Sequence, residues 1–283
     1  MVKRRIPLRN VQNVAASKTA LIECPIGPRY HQIILQHGYA AGTNTIAAAA
    51  TNISEIRVKT NGRVQRTVSG TQLRALNIMN GSVYDAVSTE VPNTSPGVSF
   101  PIFFAEPWRK DVADADGLAW QTARWSSFQV EVDLSTASTP TLVAWAVVDD
   151  FVSPGNVVPP IVKWIRQSIG ASGTSQDITT LDKRDFLQQV SIYDASGGGA
   201  TSRVTLRKDG ETLHELTTTA NAALLQQNGM TPASGRYDLV LDHDDLLSSA
   251  VDLNGARDLS ITVESTSMSG SLVLIVQRLG PPE

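Results

Sequence analysis

The chain has 283 residues, enough for two domains of about 140 residues each, and 41% hydrophobic residues suffice for two packed cores. Its net charge of −3 excludes a general electrostatic attraction to nucleic acid, so no specific nucleic-acid partner is expected. Charged residues make up only 18% of the chain, below the roughly 25% typical of soluble domains, which suggests that neighbouring molecules cover much of its surface.

The first nine residues are basic, with Lys3, Arg4, Arg5 and Arg9. No apolar segment follows them, so they form no secretory signal, and no apolar run approaches the ~20 residues that span a bilayer. We therefore expect synthesis in a cytoplasm and no insertion into a membrane. Two interpretations of the basic residues remain open. They contact acidic lipid headgroups, at on the order of 1 kcal/mol per charge, or they form a solvated, unstructured terminus.

The first third of the chain predicts four strands, near 18–24, 30–36, 54–60 and 63–68. Asn61-Gly62 separates the last two, and this dipeptide tolerates the positive φ of a two-residue hairpin turn. Leu73 and Leu76 then mark a short helix, and Asn80-Gly81 follows where a helix C-cap belongs. The lone Cys24 excludes an internal disulfide and is predicted to be a buried apolar filler.

Three more strands complete the first half, near 98–105, 126–134 and 141–148. The last is apolar throughout and is therefore predicted to be buried on both faces, with Trp145 in the core. Between the first and second of these strands, Asp111, Asp114 and Asp116 crowd one loop. Clustered carboxylates suit calcium, but their spacing is not that of an EF-hand, and a solvated loop or a helix N-terminus explains them as well.

A stiff connector divides the chain, because Ser153-Pro154-Gly155 and Pro159-Pro160 disfavour a helix. The predicted domains are 1–152 and 160–283, with a linker at 153–159. The second half predicts strands near 161–169, 186–193, 203–208, 211–216, 236–242, 257–264 and 271–278.

The second half repeats the first. Asp209-Gly210 lies 148 residues after Asn61-Gly62, and Asn228-Gly229 lies 148 residues after Asn80-Gly81. The segments 259–265 and 272–278 match 128–134 and 142–148 at shorter spacings of 131 and 130, so the first copy has the longer loops. A second acidic group, and a second weak calcium candidate, occupies the place that matches the first: Asp242, Asp244 and Asp245.

Seven or eight short strands with long crossing loops and a short helix describe a jelly roll. An immunoglobulin sandwich has tighter loops and a cysteine pair, which a single cysteine excludes. The predicted fold class is therefore all-β, with two tandem jelly-roll β-barrels and short helices in the loops. The sequence does not locate the eighth strand of either copy.

Six segments are informative together: 13–16, 25–27 and 56–63 in the first half, and 204–210, 224–227 and 237–276 in the second. In register, they resemble the major capsid protein of corticoviruses, which are icosahedral phages with a membrane inside the shell. The resemblance implies two upright jelly rolls per chain and a pseudo-hexagonal homotrimer as the capsomer. It also implies an internal membrane and no enzymatic activity.

The partners that follow are the chain itself, neighbouring trimers, penton and minor coat proteins, and internal membrane lipids, all within a virion. Members of the family bind calcium, but no ligand positions can be transferred; no other cofactor is expected. The four histidines, His31, His37, His214 and His243, match no catalytic or zinc motif and are predicted to be structural.

Two other functions remain open at this point. One is a double jelly-roll glycosidase or amidase, for which Asp150 is the only ready acidic candidate near the junction. The other is a viral spike that binds a receptor or a carbohydrate.

Overall fold

The structure is a computed structural model that describes residues 2–38, 45–89, 97–136, 139–153, 158–194, 201–242 and 247–283. Strands hold 54% of the described residues and helices 15%, so the fold is mostly β. The chain divides into two compact units, Met1–Val162 with Pro281–Glu283, and Lys163–Gly280.

The first unit contains two sheets and short helices. Its strands are β1 (Arg4–Leu8), β2 (Val11–Gln12), β3 (Thr19–Glu23), β4 (Arg29–Gly38), β5 (Ile53–Thr60), β6 (Arg63–Val68), β7 (Val87–Thr89), β8 (Gly97–Phe103), β9 (Trp120–Gln121), β10 (Phe128–Leu134) and β11 (Thr141–Asp149). Its helices are α1 (Ile46–Asn52), α2 (Gly70–Met79) and α3 (Val112–Gly117). One sheet has the order β1-β11-β4-β8-β7, with β9 beside β4, and the other has the order β6-β5-β10-β3-β2.

This order is that of a jelly roll. Numbered along the chain, β1, β3, β4, β5, β6, β8, β10 and β11 are its eight principal strands. Each sheet combines early strands with late ones, as the two Greek keys of a jelly roll require. Buried and outward-facing side chains alternate along the strands. In β10, Val130 and Val132 are fully buried, whereas Glu131 and Asp133 point away from the core.

Aromatic side chains fill much of the core of the first unit. Phe104 and Trp120 lie with ring centroids 4.6 Å apart, and Tyr30 meets the edge of Phe128 at 4.9 Å. Arg66 is buried among them, with its guanidinium 4.8 Å from the ring centroid of Trp120. It donates hydrogen bonds to the carbonyl oxygens of Phe103 and Val162, so its polar atoms are satisfied without water.

The second unit is built from fewer, longer strands. They are β12 (Ile161–Ile178, which starts at the end of the first unit), β13 (Phe186–Asp194), β14 (Thr201–Lys208), β15 (Glu211–Thr217), β16 (Arg236–Val240), β17 (Val251–Asp252) and β18 (Leu259–Gly280), with the helix α4 (Thr218–Gln227). Its core is mainly aliphatic and includes Val190, Leu206, Leu239, Ile261 and Leu274.

The two units share one pairing scheme. The hairpin β5–β6 corresponds to β14–β15, and both turns have the positive φ expected, 52° at Asn61 and 50° at Asp209. β10 pairs with β5 as the start of β18 pairs with β14, and β11 pairs with β4 as the end of β18 pairs with β13. The predicted tandem of two jelly rolls is thus confirmed.

Every strand predicted from the sequence has a counterpart, and so do the two helices at Leu73 and Leu225. The strand of the first copy that the sequence did not locate is β1, where Arg4, Arg5 and Pro7 interrupt the apolar pattern. In the second copy, the predicted strand near 161–169 continues to Ile178 through glycine and polar residues.

The prediction that β11 is buried on both faces is wrong. Leu142, Ala144 and Ala146 are buried, but Val143 and Trp145 are 46% and 37% exposed. Trp145 is therefore not a core residue: β11 alternates in the usual way, and the side chains on its outer face happen to be apolar.

Candidate functional site

The basic N-terminal segment is an ordered strand. β1 pairs along its whole length with β11, with Ile6 opposite Ala146 and Leu8 opposite Ala144. Leu8 is buried and Ile6 is half-buried, so these two side chains fasten the strand to the barrel. Arg5 and Arg9 are exposed, and within the described ranges neither pairs with a carboxylate.

The other two basic residues of the segment form ion pairs. Lys3 Nζ lies 2.8 Å from Asp116 Oδ1, and Arg4 pairs with Asp150. Both pairs are exposed, so each contributes little to stability, typically less than about 1 kcal/mol. They nevertheless neutralise half of the positive charge that the sequence places at this end of the chain.

Beside Lys3, a buried histidine lies between two carboxylates. His31 Nε2 donates a hydrogen bond of 2.8 Å to Asp149 Oδ2, and His31 Nδ1 lies 3.2 Å from Asp116 Oδ1. Arg29 holds Asp149 from the other side with two hydrogen bonds of 2.6 and 3.0 Å. The group ties β4, β11, α3 and the N-terminal segment together.

The hydrogen bonds set the charge state of Asp149. Burial alone would raise the pKa of this carboxyl group, but hydrogen bonds from Arg29, His31 and the backbone NH of Phe151 outweigh burial and hold the pKa well below its usual range. Asp149 is therefore ionised at neutral pH. For the same reason Lys3 and His31 outweigh burial at Asp116, and they lower its pKa.

This cluster is structural in character. Each described carboxylate in it is paired with a cation, Asp116 with Lys3 and Asp149 with Arg29. The sequence reasoning missed Arg29, His31 and Asp149 as a group. The signal for it, Arg-x-His at the start of β4, becomes meaningful only once β11 is known to lie beside it.

The weak calcium candidates fall in different places. Asp111 is exposed, Asp116 is paired with Lys3, and Asp242 is buried. The side chain of Asp114 and residues Asp244 and Asp245 lie outside the part of the chain that the structure describes. Among the described residues, no group of three or more His, Cys, Asp or Glu side chains is arranged to hold a metal ion. Calcium binding at these residues therefore stays a prediction.

Two of the other histidines have identifiable structural contacts. His37 is fully buried, and its Nδ1 hydrogen bonds to the carbonyl oxygen of Thr141. Burial lowers the pKa of His37, and that hydrogen bond only partly opposes the shift, so His37 is neutral at pH 7. His214 hydrogen bonds to the hydroxyl of Tyr237, whereas His243 lies outside the described residues.

The outer faces of the two sheets in the first unit differ in chemistry. One, the ionic face, consists of Arg57, Lys59, Glu131 and Asp133 on β5 and β10, linked by ion pairs of 2.5 to 2.9 Å. The other, the apolar face, lies on β4, β7 and β11. The apolar face consists of Ile34, Val87, Val143, Trp145 and Val147.

Known proteins resemble the chain along its whole length. The family model for the N-terminal domain of viral coat protein P2 matches residues 5–149, and the model for its C-terminal domain matches residues 161–282. A search of curated protein sequences finds no match. Among the described residues, no helix is long and apolar enough to cross a membrane.

Solved capsid proteins share the fold. The major capsid protein P2 of bacteriophage PM2 superposes with a TM-score of 0.81 at 20% identity, covering 99% of this chain and 98% of that one. The STIV MCP superposes with a TM-score of 0.73 at 14% identity, covering 100% of this chain and 97% of that one. A chain of the PBCV-1 virus capsid superposes with a TM-score of 0.71 at 10% identity, covering 98% of this chain and 93% of that one. Because the two P2 models together match most of its residues, in chain order, the chain belongs to the viral coat protein P2 family and is a viral capsid protein.

Proposed function

We propose that three copies of this major capsid protein form a pseudo-hexagonal homotrimer that tiles an icosahedral shell around an internal membrane. The observation that carries the proposal is the shared pairing scheme of the two units. Three chains with two similar modules each offer six similar modules around one axis, so a trimer can make nearly equivalent contacts with six neighbours. PM2 P2, which has the same fold, is described as a major capsid protein.

The composition supports permanent association. Permanent interfaces bury more than about 2,000 Å² and are poor in charge at their centres, and only 18% of this chain is charged. The alternatives, a glycosidase or amidase and a spike, find no support in the comparisons, because the family and the similar structures named above are coat and capsid proteins. Penton proteins, minor coat proteins and neighbouring trimers are the further partners that the proposal implies.

Native mass spectrometry tests the trimer. We expect a species of three times the 30.4 kDa chain that persists on dilution to micromolar concentration. Purified protein that stays monomeric at that concentration, with and without added calcium, would contradict the proposal.

We also propose that the N-terminal segment faces the internal membrane. Arg5 and Arg9 support this, because they are exposed and unpaired within the described ranges, whereas ion pairs already neutralise Lys3 and Arg4. Two arginines near an anionic surface contribute about 2 kcal/mol together, which is weak for one chain but adds up across a trimer.

Vesicle co-sedimentation tests this contact. The trimer should bind vesicles rich in phosphatidylglycerol and not vesicles of phosphatidylcholine alone. The double variant Arg5→Gln/Arg9→Gln should lose most of this binding, whereas Arg63→Gln, at the exposed β5–β6 turn, should keep it. Equal binding by all three proteins would count against the proposal.

A further inference from the structure

The second unit contains a cavity between the start of β12, the end of β18 and the segment that precedes β13. Its volume is about 240 Å³, which is room for about eight water molecules. Ile165, Leu181 and Val276 give it apolar walls. Thr180 and Asp182 also line it and are exposed, so the cavity opens to solvent on their side. Apolar walls combined with a small set of polar groups are typical of a site for a small ligand.

A buried arginine is the strongest polar group in this cavity. Arg278 lines the cavity and is 3% exposed. Its Nη1 donates a hydrogen bond of 3.4 Å to the carbonyl oxygen of Arg184 and lies 3.0 Å from Asp182 Oδ2. Its Nε has no hydrogen-bond partner among the described residues. Buried donors in proteins are nearly always paired, so Nε of Arg278 lacks an acceptor that a ligand can supply.

Two arginines share one carboxylate here. Arg184 donates hydrogen bonds of 2.7 to 3.1 Å to both oxygens of Asp182, and Arg278 shares one of these oxygens. Hydrogen bonds from Arg184 and then from Arg278 outweigh burial and hold the pKa of Asp182 well below its usual range. The side chain of Arg184 is 64% exposed and solvated, whereas that of Arg278 is buried. The buried guanidinium therefore keeps positive charge that Asp182 only partly offsets.

The repeat shows that the barrel itself does not need an arginine at this position. Val148 precedes Arg278 by 130 residues, which is the spacing of the repeat. The two residues also have the same place in their sheets, because Val148 lies opposite Tyr30 and Arg278 opposite Leu187, each next to a shift in register. Val148 is fully buried. The first copy thus has an apolar side chain where the second has a buried cation beside a cavity.

A hydroxyl group provides a second donor in the cavity. Thr180 Oγ1 accepts a hydrogen bond of 2.7 Å from Nε2 of Gln167, which also lines the cavity. A hydroxyl that accepts in this way still has its own hydrogen to donate. Arg278 and Thr180 can therefore both donate to one oxyanion.

We propose that this cavity binds a small organic carboxylate, whose head accepts hydrogen bonds from Arg278 and Thr180 and whose short apolar chain packs against Ile165 and Val276. A guanidinium matches the planar shape of a carboxylate. Asp182 lines the same cavity and repels a dianion, which favours a carboxylate over a phosphate monoester. The site lies within the second unit and does not depend on the proposed trimer.

Ligand-observed NMR titration of the full chain tests the site. The probes are hexanoate, whose size matches the cavity, hexanol, which has the same chain without the charge, and acetate, which has the charge without the chain. We expect hexanoate to bind at millimolar concentration or below, and about tenfold more tightly than either of the others. Equal affinity for hexanol or for acetate would overturn the proposal, and so would the absence of hexanoate binding.

Substitutions locate the bound carboxylate. Arg278→Gln should weaken hexanoate binding by about tenfold or more, because it removes a charged donor. Ile165→Phe keeps every charge but narrows the cavity, so it should also weaken binding, and it tests the site even where Arg278→Gln does not fold. Arg203→Gln is the matched control, because Arg203 is a partly exposed arginine of the same unit that does not line the cavity, and it should bind hexanoate as wild type does. Wild-type affinity in both Arg278→Gln and Ile165→Phe would show that hexanoate binds elsewhere.

Discussion

At the scale of single residues, burial and pairing decide what the charged side chains do. Asp149 is 1% exposed and accepts hydrogen bonds from Arg29 and His31, whereas its neighbour Asp150 is exposed and pairs only with Arg4. Sequence reasoning singled out Asp150 and passed over Asp149, because burial depends on which strand lies alongside. The two adjacent carboxylates therefore form a matched pair for experiment.

Replacing Asp149 with asparagine should destabilise the chain at pH 7 by about 3 kcal/mol, because Arg29 and His31 would lose the buried anion that they share. Asp150→Asn should cost less than about 1 kcal/mol, as exposed pairs do. Urea denaturation followed by tryptophan fluorescence measures both. Similar losses in the two variants would contradict this account of the cluster.

The same carboxylate predicts a dependence on pH. The pKa of Asp149 is lower in the folded chain than its ordinary value, so folding favours the ionised form. Its contribution is therefore complete above the ordinary pKa, near 4, and is lost as the pH falls below it. The difference in the free energy of unfolding between wild type and Asp149→Asn should therefore shrink at pH 3 relative to pH 7.

His37 acts in the same direction at higher pH. Because its pKa is lowered in the folded chain, the free energy of unfolding falls as the pH drops through about 6.5.

At the scale of elements, local patterns predicted the strands and turns well where an element has one polar and one apolar face. For that reason the sequence predicted β5, β10 and the hairpin turn at Asn61-Gly62. β1 was not, because it is a strand at the end of its sheet whose exposed positions carry arginine and proline. The helix at Leu73 was predicted, but not how closely it approaches its neighbour.

That close approach gives a prediction for α2. A Cβ at Gly70 would lie 2.5 Å from the carbonyl oxygen of Ala50 in α1 and 2.9 Å from Cβ of Ile53. Gly70→Ala should therefore destabilise the first unit by about 1–3 kcal/mol, although alanine favours a helix by about 1 kcal/mol over glycine.

The control is Gly117→Ala in α3, where a Cβ would meet nothing within 4 Å. Its thermal midpoint should stay unchanged or rise slightly, while that of Gly70→Ala falls. A Gly70→Ala variant as stable as wild type would show that α1 and α2 can move apart at little cost.

At the scale of the whole molecule, the duplication was visible in the sequence because turn dipeptides recur at one spacing. The exposure of the outer face of β11 was not visible. An apolar run such as 142–148 does not show whether the outer face of its strand contacts solvent, another sheet or another chain. Trp145 was therefore assigned to the core, although it is exposed. At this position the two copies of the module differ, because Trp145 is exposed and Ile275 is buried.

The chemistry of the two faces also predicts how assembly responds to salt. The centre of the apolar face, at Val143 and Trp145, carries no ionised side chain, whereas Arg5 lies opposite Val147 at its edge, so a contact centred on Trp145 gains little from Coulomb attraction. Raising the salt concentration from about 0.05 to 0.5 M shortens the Debye length severalfold, which weakens exposed ion pairs but leaves apolar burial intact or slightly stronger. We therefore expect the dissociation constant of the trimer, measured by analytical ultracentrifugation, to be unchanged or lower at the higher salt. Over the same range, vesicle binding through Arg5 and Arg9 should fall steeply. A trimer that dissociates as salt is added would mean that ionic contacts, rather than apolar ones, hold the copies together.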